Sequence, residues 1–267
     1  MLIDAFSEDW IDTLEARAAG LPSSDHLFMV LDGAFVPGLH SKLSNGRKTL
    51  LFASRPGCTQ EAADVSPFLT QFHIGDKALR SLLAHCNRWP MVSAIETSEA
   101  IEGLANRLSA WCVVGADQQR FNFRFPDTRR LPAVLDILKP EQRGQIAGPA
   151  GRWSLIGRDG RWCDFDLVRS DEAAATDPAL DALQFAALVE DSLADEILML
   201  LVDRGREMLR TPSASHALLG IALRAAGRAA LPEPHLVDWC DWFWQGGQRV
   251  DDPTAASMLE TWRNTFQ

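Results

Sequence analysis

The sequence has little of what marks membrane and secreted proteins. Its 267 residues contain no run approaching the ~20 apolar residues that a membrane-spanning helix requires. The first residues carry neither a basic flank nor a long apolar stretch, so we expect no signal peptide and a cytoplasmic location. The hydrophobic fraction of 46% is enough to bury a core in one large domain or two small ones.

Cysteine is scarce, and its spacing favours neither disulfides nor metal binding. The number is odd, no two form a CxxC pair, and they stand far apart, at Cys58, Cys86, Cys112, Cys163 and Cys240. We therefore expect free thiols in a reducing compartment, without a disulfide framework or a zinc site.

Motifs for catalysis and cofactor binding are also missing. The six histidines show no HExxH or other metal spacing, and the glycines form no GxGxxG or phosphate loop. GxSxG is absent, although Ser93, Ser98 or Ser154 would be a nucleophile if the fold supplied a base. Asp164 and Asp166 would share one face of a strand, where they either bind a cation or are solvated. We predict no catalytic residue, no metal and no cofactor.

Charge is distributed unevenly along the chain. Residues 1–170 hold 19 basic and 20 acidic residues, whereas residues 171–267 hold 7 and 16, which accounts for most of the net charge of −10. An acidic surface repels nucleic acid and anionic lipid but attracts a basic protein. A merely solvated helical surface would give the same count.

Apolar patterning divides the chain into two parts at about residue 170. Before it, short apolar or alternating runs predict strands at 26–33, 49–53, 67–72, 91–95, 121–125, 153–157 and 162–166. Asp159-Gly160 predicts a hairpin between the last two strands. Helices are predicted at 2–19, from Asp76 as cap to 86, from a Ser98 cap to about 108, and at 128–138.

After residue 170 the strand signals vanish and helical patterns take over. Asp177-Pro178 predicts the start of a helix that runs to about 209, and further helices are predicted at 213–230, 233–245 and 253–266. We therefore predict an α+β protein: an N-terminal α/β lobe, 1–170, with a mixed sheet flanked by helices, followed by an all-helical lobe, 171–267.

Two local clusters are candidates for function. In the turn around Pro126, Asp127 is placed to cap a helix, and an ion pair with Arg124 would make the turn rigid. Arg129 and Arg130 would then be surface arginines presented to an acidic partner.

The second cluster is a group of tryptophans near the end of the chain. Trp239, Trp242 and Phe243 share one helix face, and Trp244 points elsewhere. Such rings are typical both of contact hot spots and of the core of a small helical lobe. We expect most of them to be core and Trp244 to be exposed.

The order of motifs resembles a known family, the type VI secretion effector chaperones called Tec or Tap adaptors. The likeness begins with Leu27-Phe28-Met29-Val30-Leu31-Asp32-Gly33-Ala34 and continues through Pro37-Gly38-Leu39, Thr49-Leu50-Leu51-Phe52, Pro67-Phe68-Leu69 and Trp89-Pro90 to Trp162. Phe123-Arg124-Phe125-Pro126-Asp127 is similar to the family's arginine-tyrosine-aspartate-proline turn, although here proline precedes aspartate. Asp32, Gly33, Arg124 and Asp127 are the structural motif that the resemblance identifies.

The resemblance implies an adaptor and no enzymatic activity. Members of the family bind a cognate effector and help deliver it to the VgrG spike, with no nucleic acid or membrane partner. We further hypothesise that the helical lobe supplies cognate specificity, since it lies outside the likeness. Two alternatives remain: a hydrolase-like enzyme with a site between the lobes, and a structural subunit that binds without chaperoning.

Overall fold

The computed structural model describes residues 2–53, 55, 57–246 and 250–265. The chain folds as two compact units, Met1–Leu188 and Val189–Gln267. Residues 171–188, which we had placed with the helical lobe, belong to the first unit. Leu180 lies in its core, and Ala175 and Leu188 pack against that core.

The first unit is built on an antiparallel sheet of six strands in the order β2-β3-β1-β4-β7-β8. A separate hairpin pairs β5 with β6. The strands are β1 His26–Leu31, β2 Thr49–Leu50, β3 Phe68–Gln71, β4 Val92–Thr97, β5 Val113–Ala116, β6 Gln119–Asn122, β7 Ala150–Ile156 and β8 Trp162–Asp166.

The central strand β1 lies between two apolar cores, which its alternating side chains fill from opposite faces. Phe28 and Val30 belong to one core, and Leu27, Met29 and Leu31 belong to the other. A strand that is buried on both faces gives a continuous apolar run, a pattern typical of parallel strands. The α+β class is confirmed. The prediction of a mixed sheet was wrong, because all pairs of the six-stranded sheet are antiparallel. Burial of both faces gives its strands apolar runs that resemble those of parallel strands.

One hairpin was predicted from sequence, and the other was missed. At the predicted turn between β7 and β8, Gly160 has a φ of 76° and the Gly157 amide donates to the Arg161 carbonyl at 2.8 Å. Between β5 and β6, Asp117 and Gln118 take φ values of 45° and 61°. Glycine or asparagine usually fills such positions, so this turn gave no sequence signal.

Helices of the first unit pack on both sides of the sheet. Asp76 caps α3 as predicted, accepting from the Ala78 and Leu79 amides at 3.1 Å. The helix predicted from residue 2 begins only at Trp10, because the Asp4 amide donates to a carbonyl of the β7–β8 turn instead. The helices are α1 Trp10–Gly20, α2 Gln60–Asp64, α3 Lys77–Ala84, α4 Ile101–Trp111, α5 Leu131–Ile137 and α6 Pro140–Ala147.

The C-terminal part of the chain contains four further helices. They are α7 Ala182–Asp203, α8 Pro212–Arg228, α9 Leu236–Gly246 and α10 Asp252–Thr265; Phe266, the predicted end of the last helix, lies outside the described residues. Helix α7 starts later than Asp177-Pro178 predicts, because the Pro178 carbonyl and the Leu180 amide bond to Gly115. Its true start is a capping box, in which Asp181 and Gln184 accept from each other's amides at 2.9 and 3.0 Å.

Candidate partner-binding site

Asp32 directly follows the central strand β1, and it is only 2% exposed. Its Oδ1 accepts from the Ala34 amide at 3.0 Å, and its Oδ2 accepts from Arg124 Nη2 at 2.8 Å. Burial raises the pKa of the Asp32 carboxyl, and the neighbouring Arg124 guanidinium opposes that rise. The ion pair therefore ties the end of β1 to the segment that follows β6.

Gly33 follows Asp32 because the backbone at Ser66 leaves no room for a side chain at this position. A Cβ at this position would lie 2.3 Å from the backbone oxygen of Ser66. The Asp32-Gly33 pair thus combines a buried charge with a close approach of two backbone segments.

Asp127 organises the turn that leads into α5. Its carboxylate accepts a bidentate pair from Arg129, with Nε at 3.1 Å from Oδ1 and Nη2 at 2.8 Å from Oδ2, and it also accepts from the Arg129 amide. The helix starts only at Leu131, with Arg130 in the N-cap position. Asp127 therefore caps the turn before the helix rather than the helix itself.

The placement of Arg129 differs from the surface position that the sequence favoured. Its side chain is only 12% exposed, whereas that of Arg124 is 49% exposed. Of the two guanidinium groups, Arg129 fixes the turn from inside, and Arg124 faces both the buried Asp32 and the solvent.

An aromatic pair completes the arrangement. The guanidinium carbons of Arg124 and Arg129 lie 5.4 and 5.7 Å from the centre of the Phe35 ring, within the range of cation–π attraction. Phe35 in turn stacks on Trp89 with ring centres 6.0 Å apart. We call Asp32, Phe35, Arg124, Asp127 and Arg129 the arginine–aspartate cluster.

The cluster can do two things chemically. Its ion pairs hold two chain segments, 32–35 and 124–129, in one geometry, and loss of a pair that contains a buried carboxylate is costly. Beside it lies a cavity of about 120 Å³, whose lining includes Asp32, Phe52 and Arg124. Because a guanidinium carries five N–H donors, Arg124 has the capacity to bind a partner's carboxylate or carbonyl at this mouth.

The family comparison matches this part of the chain. Residues 27–145 match the family model described as Domain of unknown function (DUF4123). We call residues 27–145, which match this model, the DUF4123 domain. This family is the one known for type VI secretion effector chaperones, so the resemblance is confirmed. No curated protein and no solved structure matches the chain.

The DUF4123 domain contains the whole arginine–aspartate cluster. It begins at the second residue of β1 and ends within α6, so β7, β8 and the second unit lie outside it. The match covers fewer than half of the 267 residues and stops short of Trp162, where the likeness noted from motifs ended.

The tryptophans outside the DUF4123 domain are mostly core. Trp239 and Phe243 are fully buried, and Trp239 Nε1 donates to the Ala222 carbonyl at 2.9 Å. Trp244, which we expected to be exposed, is only 8% exposed, and Trp242 is the partly exposed ring. The buried face of α9 is wide enough to include 239, 240, 243 and 244, so the fourth ring also packs inside.

Sequence reasoning missed two aromatic residues that support the site and one buried arginine elsewhere in the first unit. Phe35 gave no periodic signal because it lies in an irregular segment, and Trp89 was selected only as part of the family likeness. Arg107 was hidden within an ordinary helical pattern, yet it is 9% exposed. Its Nε lies 2.9 Å from Glu99, and its Nη1 donates to the Glu172 carbonyl at 2.6 Å.

The described residues contain no cluster of metal ligands and no membrane-spanning helix. Among them, no three His, Cys, Asp or Glu side chains lie together as metal ligands, and no helix is both long and apolar enough to cross a bilayer. All five cysteines are free, and burial raises the pKa of the Cys112 thiol to about 12. Asp164 pairs with Arg17 at 2.6 Å and Asp166 with Arg152 at 3.1 Å.

Proposed function

We propose that the chain is an adaptor chaperone that acts in the cytoplasm by binding one cognate effector of a type VI secretion system. It then helps to load that effector onto the VgrG spike. The observation that carries the proposal is the DUF4123 domain at residues 27–145. The proposed work is done by binding alone, and no catalytic step is part of it.

The arginine–aspartate cluster supports this proposal as a rigid platform. A surface that must recognise one partner benefits from side chains that are already fixed before binding. Arg124 is fixed by Asp32 and Phe35 but remains 49% exposed. Arginine beside an aromatic ring is a frequent combination at contact hot spots.

Of the five predicted contact residues, two retain surface for a partner. Arg130 and Trp242 are each half-buried, whereas Trp239 and Trp244 are buried and Arg129 holds Asp127. We therefore keep Arg130 and Trp242 as contact candidates and assign the other three to the fold.

Charge favours a protein partner over nucleic acid or membrane. The chain carries a net charge of −10, almost all of it after residue 170. Phosphate backbones and anionic lipid surfaces would be repelled, whereas a basic protein surface would be steered toward the chain.

Effector genes usually lie next to the adaptor gene in the family that the chain resembles, so co-expression with the toxin encoded by such a neighbouring gene tests the proposal. We expect the two proteins to co-purify in a stoichiometric complex, and we expect deletion of this chain's gene to block secretion of that toxin only. A second effector of the same secretion system is the control, and its secretion should be unchanged.

Three outcomes would overturn the proposal. They are failure to bind the toxin and every spike component, loss of all secretion on deletion, and substrate turnover by the purified chain at a defined pocket. The second would indicate a structural subunit, and the third an enzyme.

A further inference from the structure

The part of α7 that belongs to the second unit leaves large apolar side chains in solvent. Val189 is 55% exposed, Met199 is 43% exposed and Leu200 is 47% exposed. Single exposed apolar residues are ordinary, but several on one helix face indicate a surface that another molecule covers.

Four exposed residues and one half-buried residue follow a regular spacing. Val189, Leu193, Glu196, Leu200 and Asp203 are separated by four, three, four and three residues, which places them along one line of the helix. Leu193 is half-buried and packs against the core, whereas the other four are exposed. We call these five residues the α7 stripe. The other side of the same helix packs into the core of the unit through Ala194, Ile197, Leu198 and Leu201.

The charge of α7 has a single sign. Its 22 residues include five carboxylates and no lysine or arginine. Glu196 and Asp203 are exposed within the α7 stripe, and Glu190 is exposed beside it. The Ser192 hydroxyl donates to Glu196, which keeps that carboxylate on the helix surface.

We infer that the α7 stripe docks a basic amphipathic helix of the effector, an inference that rests on the proposed function. A helix face on which exposed apolar and acidic residues alternate at heptad spacing is a surface that an amphipathic helix with basic flanks covers. Apolar residues of that helix would contact Val189 and Leu200, and its lysine or arginine residues would meet Glu196 and Asp203. The two carboxylates disfavour pairing with a second copy of this chain, since carboxylate would face carboxylate.

The test measures binding of the full-length chain to the product of the neighbouring toxin gene. Leu200→Gln removes apolar contact without adding charge, and we expect affinity to fall by about tenfold. Glu196→Lys should weaken binding by about threefold at low salt, and by less as salt increases.

Matched controls separate these effects from general changes. Val168→Gln alters a side chain that is 92% exposed in the first unit, and Glu233→Lys reverses an exposed charge outside α7. Both should bind like the wild-type chain. Thermal unfolding should show all four variants folded, and hydrogen exchange should slow in α7 when the toxin is bound.

The outcomes distinguish this inference from the proposed function. If the wild-type chain does not bind the toxin, both are overturned. If Leu200→Gln binds as tightly as Val168→Gln, the stripe is not the docking site, although the adaptor function stands. A dimer of the free chain that Leu200→Gln converts to monomer would identify a second copy as the occupant and overturn the inference.

Discussion

The two units use charge in different ways. In the first unit, Asp32, Asp127 and Arg107 are at most 9% exposed, and each is paired with an opposite charge. In the second unit the core is mainly apolar and aromatic, although Asp195 is also buried, and pairs such as Arg224–Asp252 lie on the helix surface. The stability of the first unit is therefore expected to depend on particular ion pairs, and that of the second unit on the volume of its buried side chains.

This difference bears on which parts of the surface the fold leaves free to vary. A buried ion pair restricts the residues on both sides of it, because loss of either partner leaves a charge without compensation. A helix that packs by volume leaves its outer face unconstrained by the core. The DUF4123 domain lies in the first unit, and the α7 stripe lies in the second.

The largest effect should come from removing volume in the second unit. Trp239 is fully buried and contacts Trp242, Phe243 and Trp262 with ring centres 5.1 to 5.8 Å apart. Trp239→Ala should lower the free energy of unfolding by about 4 kcal/mol, because it leaves a large cavity and removes the hydrogen bond to the Ala222 carbonyl. Denaturant unfolding measures the loss.

Trp242→Ala is the matched control for that substitution. The ring is on the same helix but is only half-buried, so the loss should be about 1 to 2 kcal/mol. Equal losses for the two variants would show that the second unit does not depend on buried aromatic volume as the comparison requires.

A smaller loss should follow from breaking a charged pair in the first unit. Asp127→Ala leaves the Arg129 guanidinium, 12% exposed, without its bidentate partner. We expect the free energy of unfolding to fall by about 3 kcal/mol. Asp136→Ala, an exposed aspartate on α5, should change it by less than about 0.5 kcal/mol.

A double substitution sharpens this test. Replacing both partners, with Asp127→Asn and Arg129→Met, removes the charge that Asp127→Ala leaves behind and should restore part of the lost stability. If the double variant is less stable than Asp127→Ala, packing of Arg129 on Phe35 outweighs the ion pair.

Sequence patterns were informative where one local interaction decides the structure. Asp76 caps its helix and Asp159-Gly160 forms its hairpin, because both depend on residues within a few positions. Patterns failed where a distant group decides. The amide of Asp4 donates to a carbonyl of the β7–β8 turn. Phe35 contacts Arg124 and Arg129, which are about 90 positions later in the sequence.

The same limit applies to the candidate site. Arg124 and Asp127 could be selected from the turn around Pro126, and Asp32 from the family resemblance. The choice of partner could not, since Arg124 and Asp32 are 92 positions apart. Exposure of Trp244 was also mispredicted because helix spacing gives the direction of a ring but not the width of the buried face.

The smallest effect in the first unit should appear as a dependence on pH. Burial would raise the pKa of the Asp76 carboxyl, but the Leu79 amide and the Arg47 guanidinium together hold it below its ordinary value of 3.8. A carboxyl with a lowered folded pKa stabilises the fold fully above the unfolded pKa, and that contribution is lost as pH falls through the folded pKa.

Two substitutions separate the cap from the charge. Asp76→Ala should cost about 1 kcal/mol at pH 7, because the Ala78 and Leu79 amides lose their acceptor. Asp76→Asn keeps an acceptor without a titrating group, so it should cost less at pH 7 and should approach the wild-type chain in stability as pH falls below the lowered pKa of Asp76. A constant difference between Asn and Asp from pH 7 to pH 2.5 would show that the charge of Asp76 contributes nothing. The contrast between the units would then rest on the ion pairs of Asp32, Asp127 and Arg107 in the first unit.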